Sequence, residues 1–523
     1  MSADLTGQVR GAAATTAWGD RSRGLSIALA GVLLYVVLHV GFRLLASSTL
    51  GEDDTLDQIL VQDLRWGYSP RQPPLYDWVL YGVQQVTGPR LLSFLVIKYV
   101  ALTATVVLLY LAAYRVLQDR IWALLTVESL ALIYQIAWRY HEGFTHEVLA
   151  MVAVAATLYV LLRLVDHGRG RDYVLFGIVS GLGMLTEPNY TVYQLCLWGA
   201  VAAQPSIRAR VVRPLLFVSA AIAVAIASPF IAWVVSDPDH VRQLWRPSRH
   251  GHLKDVLVGV KDAVRGPFMY LAPLIVILPV VLTGFLRTAV ADIRAAWPPI
   301  APAEQPPDLE RLVMTTMLLG IVVSILGGLA FGIGGYAMHV LMPLYVTSVI
   351  WLFGVARRSA GAGSRMRIFA RLALAIAVLA FVARMANMFV LDPVCGKCRW
   401  GIPYATLATK LREAGFDPAG TIIAPDDELA GNLRSHFPNA AFVLVGRQAY
   451  APLRKAPAGA NSVLVWDVGA DEQQVRRQAA EQAGVDASPH VTQLLTAPWR
   501  HLWKPLGYRT SDWRFVLVPS PRR

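Results

Sequence analysis

Apolar runs of roughly 20 residues, the length that crosses about 30 Å of hydrocarbon, recur along most of this chain. They lie at 25–47, 92–114, 121–138, 147–164, 173–186, 190–204, 213–235, 267–288, 312–334, 337–356 and 367–390. This pattern predicts an α-helical polytopic membrane protein with about eleven spans, the pair at 173–204 being the shortest. The first 24 residues are polar and form a tail, with Arg21 and Arg23 directly before the first run. That run is too long for a signal-peptide core and lacks a convincing cleavage site, so the first span is expected to stay attached.

From about residue 392 the pattern changes. Short apolar runs at Thr421–Ala424, Ala441–Val445, Ser462–Trp466 and Trp513–Val518 read as strands, and 405–414, 427–435 and 472–483 read as helices. The alternation predicts a small α/β domain over 392–523 behind a membrane domain over 25–391. It contains no Gly-rich phosphate loop and no nucleophile motif, so it is expected to position an acceptor or cap the membrane site.

The loop between the first two spans, 48–91, is too patterned to be a linker. On a helix starting at Asp53, residues Leu56, Leu60 and Leu64 share a face with Ile59 beside them, which predicts a helix lying in the interface with its apolar stripe down. Asp53 and Asp57, four apart, then stack along one edge. Gly67, Ser69 and Pro70 break this helix. Pro73-Pro74 opens a second, with a stripe of Leu75, Val79, Val83 and Val86 and with Trp78 and Tyr81 suited to a headgroup belt.

Composition agrees with the spans. Across 523 residues, 55% are hydrophobic and 16% charged, and the mean hydropathy is +0.46, too apolar for one soluble globule. The net charge of +13 sits mostly in short loops, such as those holding Arg115 and Arg120, Arg169 and Arg171, and Arg357 to Arg371. There it orients the chain in a lipid bilayer and does not mark a nucleic-acid partner. On that rule these loops are cytoplasmic and the first loop and the C-terminal domain face outward. Cys196 lies in a span. Cys395 and Cys398 form a Cys-Gly-Lys-Cys pair, read as a small-loop disulfide with an unpaired or metal-binding pair as alternatives.

The outward loops hold the candidate chemistry. A carboxylate at a partly dry surface has its pKa raised toward general-base work, which makes Asp53 and Asp54 candidates. Alternatively the acids are a solvated helix N-terminus favoured by the dipole. The next outer loop carries His141-Glu142 and His146-Glu147, and these four are candidate ligands for an optional divalent metal. Arg71, Arg90, Lys98 and Arg139 are candidate cations for an anionic substrate, though Lys98 can instead pair with Glu128 in the following span.

The acidic first-loop helix is followed by Asp63-Leu64-Arg65-Trp66-Gly67-Tyr68, Gln72-Pro73-Pro74-Leu75-Tyr76 and Arg90-Leu91-Leu92-Ser93. This order resembles the GT-C membrane glycosyltransferases of family 39, which include protein O-mannosyltransferases and the aminoarabinose transferases of lipid A. The likeness covers roughly 25–350 and is strongest from 51 to 190. It implies transfer of a sugar from a polyprenyl-phosphate carrier to an envelope glycolipid, polysaccharide or protein on the outer side of a bacterial inner membrane, with a lean toward the first two acceptors.

The resemblance places the family's first-loop acidic pair, commonly Asp-Glu, on Asp53 and Asp54, with Asp53 as the catalytic residue. Thr145-His146-Glu147 matches a Thr-x-Asp pattern. Glu187 stands where relatives have a lysine in Leu-Ser-Lys-Tyr, and His339 stands where they have an arginine ahead of Leu-Leu-Pro. Both changes remove positive charge from the expected carrier side. Arg71, Gln72, Tyr76, Arg90, Lys98, Arg139, His146, Glu147, Glu187 and His339 are thus the expected substrate contacts. A polytopic transporter or flippase of a lipid-linked or small polar substrate is the alternative, disfavoured because no internal repeat is visible.

Overall fold

The computed structural model describes residues 2–245, 253–295, 305–331, 341–446 and 449–519. His339 lies outside the described residues. Helix α1 (Ser2–Ala46) carries the first apolar run. It stops where the Arg43 guanidinium turns onto the carbonyls of Ser47 and Thr49 and stacks over the Trp400 ring at 4.7 Å.

The first loop contains α2 (Glu52–Leu60), whose opening turn of Glu52, Asp53 and Asp54 suits the positive end of a helix dipole. It also contains α3 (Leu75–Thr87), entered through Pro74 and ended at Gly88, where φ is +75°. Next comes α4 (Leu91–Leu117).

The run at 121–138 is not one span. It divides into α5 (Arg120–Glu128), a 3₁₀ turn at Ser129–Leu132 and a single-turn α6 (Tyr134–Ala137). Beyond it, α7 (His146–Asp166) is a full span. The two 15-residue helices α8 (Gly170–Met184) and α9 (Pro188–Ala202) fall short of the roughly 20 residues that hydrocarbon demands.

Among the described residues six helices are long and apolar enough to cross a membrane: Gly19–Ala46, Leu91–Leu117, His146–Asp166, Leu216–Val235, Leu309–Gly327 and Ala362–Phe389. A seventh is counted if Leu274–Val281 and Phe285–Ala295, bent by 110°, form one broken span. The expected eleven is therefore not confirmed among the described residues, where six or seven pass by length and composition. The other apolar runs fold as short or broken helices interrupted by proline and polar residues, and the run at 337–356 lies partly outside the described residues. Leu34, Val37, Val224 and Leu379 stay more than half exposed on the long helices, as a lipid-facing surface requires.

The C-terminal domain is an α/β unit, as its pattern indicates. Strands β1 (Thr421–Ala424), β2 (Ala441–Leu444), β3 (Ser462–Asp467), β4 (Gln493–Pro498) and β5 (Thr510–Val518) form one sheet of order β2-β1-β3-β5-β4. The first three pair in parallel, with Thr421 opposite Ala441 and Ser462. The last two are antiparallel. Edge strand β4 escapes the sequence reading because it buries only Ala497, which leaves no alternation to detect. Cys395 and Cys398 are bridged.

One contact inverts an expectation. Helix α2 does not lay its apolar stripe on the bilayer: Ile59, fully buried, and Leu56 join the hydrophobic core of the C-terminal domain. The helix Asp427–Arg434 seals this junction. Arg434 donates to the Gln58 carbonyl, and Asn432 Oδ1 accepts from the Leu50 amide at 2.8 Å. Gly431 lies so close that a Cβ there would meet the Thr55 carbonyl oxygen at 2.4 Å and its Cα at 2.7 Å. Backbone cannot yield as a side-chain tip can, so Gly431→Ala should destabilise the protein by about 1–3 kcal/mol. Thermal unfolding in detergent measures this, and an unchanged midpoint would show that the junction is loose.

Candidate active site beneath the first loop

With its apolar face turned to the C-terminal domain, α2 turns its polar face into the membrane helices. Asp54, Asp57 and Gln58 are all buried. Asp54 receives the Lys98 ammonium at 2.7 and 2.9 Å, a bidentate contact between side chains 3% and 2% exposed. Lys98 lies two turns into α4, so the pair locks the first loop to a membrane span. It also corrects the option that Lys98 pairs with Glu128.

Asp53 stands beside this pair, open to solvent on one side and walled by Gly143 on the other, where a Cβ would come within 3.5 Å of its Oδ2. Desolvation by that wall, with the nearby carboxylates of Glu147, Asp57 and Asp54, pushes its pKa up to about 7. The loop under α2 can come this close because Gly51 has no side chain: a Cβ there would overlap the Glu142 carbonyl.

One turn further along α2, Asp57 meets Asp77 of α3 and His146 at the start of α7. His146 Nε2 is 3.9 Å from Asp57 Oδ1 and 3.9 Å from Asp77 Oδ2. Burial pushes Asp77 above the usual carboxylate range. Tyr76 adds its ring, 5.3 Å from that of His146. Glu147 Oε2 accepts from the Thr145 amide at 3.1 Å. Glu187 is buried, within electrostatic reach of Glu147 and His146, and burial pushes it well up.

Beside α2 opens a cavity of about 250 Å³ whose wall includes Glu52, Arg139, Gly143, Lys397, Arg399 and Trp400. Arg139 is held at its mouth by Glu142 at 3.3 Å and Glu52 at 3.8 Å. Arg139, Lys397 and Arg399 share this wall with Glu52 and Glu142, and Gly143, which also lines it, is the residue that borders Asp53; cations and an open carboxylate at this spacing suit moving a group between an anionic leaving group and a hydroxyl.

Residues 71–233 match the family described as dolichyl-phosphate-mannose-protein mannosyltransferase. Two curated proteins of Rhizobium johnstonii are similar over most of their length. The lipopolysaccharide core galacturonosyltransferase RgtB is 27% identical, covering 82% of this chain and 85% of its own. The lipopolysaccharide core galacturonosyltransferase RgtA is 24% identical, covering 84% and 87%. Among solved structures, ArnT from Cupriavidus metallidurans bound to undecaprenyl phosphate superposes with a TM-score of 0.62 at 12% identity, over 93% of this chain and 98% of that one. The apo form of ArnT gives the same score over 95% and 98%.

In sequence and fold the chain resembles the GT-C glycosyltransferases of family 39.

Within this GT-C framework the expected site residues separate into groups. Asp53, Asp54, Tyr76, Lys98, His146, Glu147 and Glu187 converge beneath α2. Arg139 and Glu142 line the cavity beside it. Arg71 and Gln72 are exposed on the flank, where Arg71 Nε donates to the Gln243 carbonyl at 2.8 Å. Arg90 caps α4, exposed and outside the recess. His141 is no free metal ligand: Tyr35 and Tyr99 hydroxyls occupy its two ring nitrogens at 2.7 and 2.8 Å. Its carbonyl accepts from Arg384 at 3.1 Å.

Sequence reasoning missed Asp77, Lys397 and Arg399, and placed Asp57 on one edge of the helix without giving it a role. The four-residue step from Asp53 to Asp57 was a usable signal for Asp57. Nothing along the chain signals that Asp77 meets it.

Removing one partner of the buried pair strands the other charge, at a cost of about 3–5 kcal/mol. Lys98→Met should therefore destabilise strongly. Adding Asp54→Leu should restore much of the loss, which a thermal-unfolding double-mutant cycle reads. Strictly additive losses would mean that the pair is not coupled.

Proposed function

We propose that this glycosyltransferase moves a sugar from a polyprenyl-phosphate donor to a glycolipid of the bacterial envelope, on the outer side of the inner membrane. The observation that carries the reading is the division of labour between two adjacent acids, Asp54 locked by Lys98 and Asp53 left open with a raised pKa. In this reading Asp53 takes the proton from the acceptor hydroxyl as that oxygen attacks the anomeric carbon. The bond to the carrier phosphate breaks with its electron pair, and the phosphate leaves without needing an acid.

Arg139, Lys397 and Arg399 face the cavity beside Asp53 and would neutralise the leaving phosphate. Support for the donor class comes from the ArnT fold neighbour, which was solved with undecaprenyl phosphate. Support for the acceptor and for an acidic sugar comes from the lipopolysaccharide core galacturonosyltransferases, which are similar across most of the chain. The same three cations suit a sugar that itself bears a carboxylate.

Asp53→Asn, an isosteric change, should lower transfer from lipid-linked donor in membrane vesicles by roughly 10²–10⁴-fold with the protein still folded. Undiminished transfer would remove Asp53 from the mechanism. Absence of transfer by wild type from every carrier tried would favour transport instead.

The base form of Asp53 exists above its pKa of about 7 and is lost below it. kcat/KM should accordingly fall about tenfold for each pH unit below neutrality. A profile flat down to about pH 5, near an ordinary carboxylate, would exclude Asp53 as the titrating base.

A further inference from the structure

Asp57, Asp77 and His146 come from three separate elements, α2, α3 and α7, and each is at least 95% buried. Three features of this triad are unusual for a core. One imidazole nitrogen and two carboxylate oxygens lie within 4.8 Å of one another. Asp57 Oδ2, Asp77 Oδ1, His146 Nδ1 and the Tyr76 hydroxyl are all buried without a hydrogen-bond partner, and each such group costs about 1–3 kcal/mol if nothing satisfies it. The surrounding charge is also lopsided.

The titratable groups in mutual reach are the carboxyls of Asp53, Asp54, Asp57, Asp77, Glu147 and Glu187 against Lys98, Arg43 and, when protonated, His146. All of these carboxyls but Asp53 are buried, and buried carboxylates in such excess are costly unless a proton or a cation joins them. A protonated His146 answers part of the charge, but its Nε2, 3.9 Å from each carboxylate, lies beyond hydrogen-bond distance of both.

We propose that Asp57, Asp77 and His146 hold a divalent first-row cation of the Mn²⁺ or Zn²⁺ class, which clamps α2, α3 and α7 together beneath Asp53. The donor set selects the class. An imidazole disfavours Mg²⁺ and Ca²⁺, two carboxylates disfavour soft thiolate-seeking ions, and a mixed nitrogen and oxygen set suits Zn²⁺ and Mn²⁺. The spacing is compatible: donors about 2.0–2.2 Å from one ion can lie up to about 4 Å apart, and both His146 edges measure 3.9 Å.

A water on the ion would give the Tyr76 hydroxyl a partner. Because the triad is buried, the ion is a positioning element: it acts on Asp53 through Asp57, one turn along the same helix, and does not touch substrate. This site shares only His146 with the ligand candidates read from the sequence.

Metal content tests the site without any substrate, so its outcome is separate from that of the transferase reading. Full-length protein purified in detergent and dialysed against metal-free buffer should carry about one Mn or Zn per chain by inductively coupled plasma mass spectrometry. Asp77→Asn and His146→Gln should each carry at least about tenfold less. On wild type alone, a chelator should lower the thermal midpoint and added Mn²⁺ or Zn²⁺ should restore it. This arm decides the matter even where the variants fail to fold. Wild type with no bound metal, and a midpoint indifferent to chelator and to both ions, would overturn the site and leave a protonated His146 as the clamp.

Discussion

The ion pair between Lys98 and Asp54 is the contact on which the candidate site depends. An ammonium inside a membrane span is tolerable only with a partner, and the partner comes from a nine-residue helix outside the span. Pulling Asp54 inward sets the rotation of α2. Asp57 and Gln58 then follow it into the protein, while Ile59 and Leu56 turn to the other side. Gln58 is held in turn by Gln84 at 2.7 Å and the Pro89 carbonyl at 2.8 Å. A short amphipathic helix that would otherwise float at the interface becomes a plate gripped from both faces.

The second grip is the C-terminal domain. Its sheet carries no catalytic motif, yet its core includes Ile59, so the first loop and this domain share hydrophobic burial. Hydrogen bonds from Tyr450 to the Leu60 carbonyl and between Gln62 and Phe442 extend the seam along α2. The domain acts as the roof that leaves the acidic face of α2 no direction to turn but inward.

Two histidines five residues apart, ahead of and at the start of α7, have opposite environments, and the contrast separates scaffold from site. His141 stacks on His39 at 4.3 Å and has both nitrogens bonded, while Arg384 pins the backbone around it. A polar network satisfied at every atom rigidifies what it touches. His146, five residues on, faces two carboxylates at 3.9 Å with a ring nitrogen unbonded. The satisfied network holds the loop; the unsatisfied one is available for ligand chemistry.

The sequence by itself determined the membrane class, the first, second and later long apolar helices, and the α/β character of the tail with four of its five strands, and it singled out the acidic start of the first loop as a candidate site. Each of these is written in local periodicity, composition or a contiguous motif, where neighbours along the chain are neighbours in space. It did not determine which apolar runs fold as long continuous helices, because a hydropathy run does not record where a helix breaks, as at Ser129–Leu132. Nor did it determine which way α2 faces. Its periodicity correctly identified an apolar stripe, but only the tertiary structure decided that protein, and not lipid, covers it. The meeting of Asp54 with Lys98 and of Asp57 with Asp77 and His146 was likewise decided by packing: these side chains come from separate helices, and no local pattern encodes the rotation that brings them together.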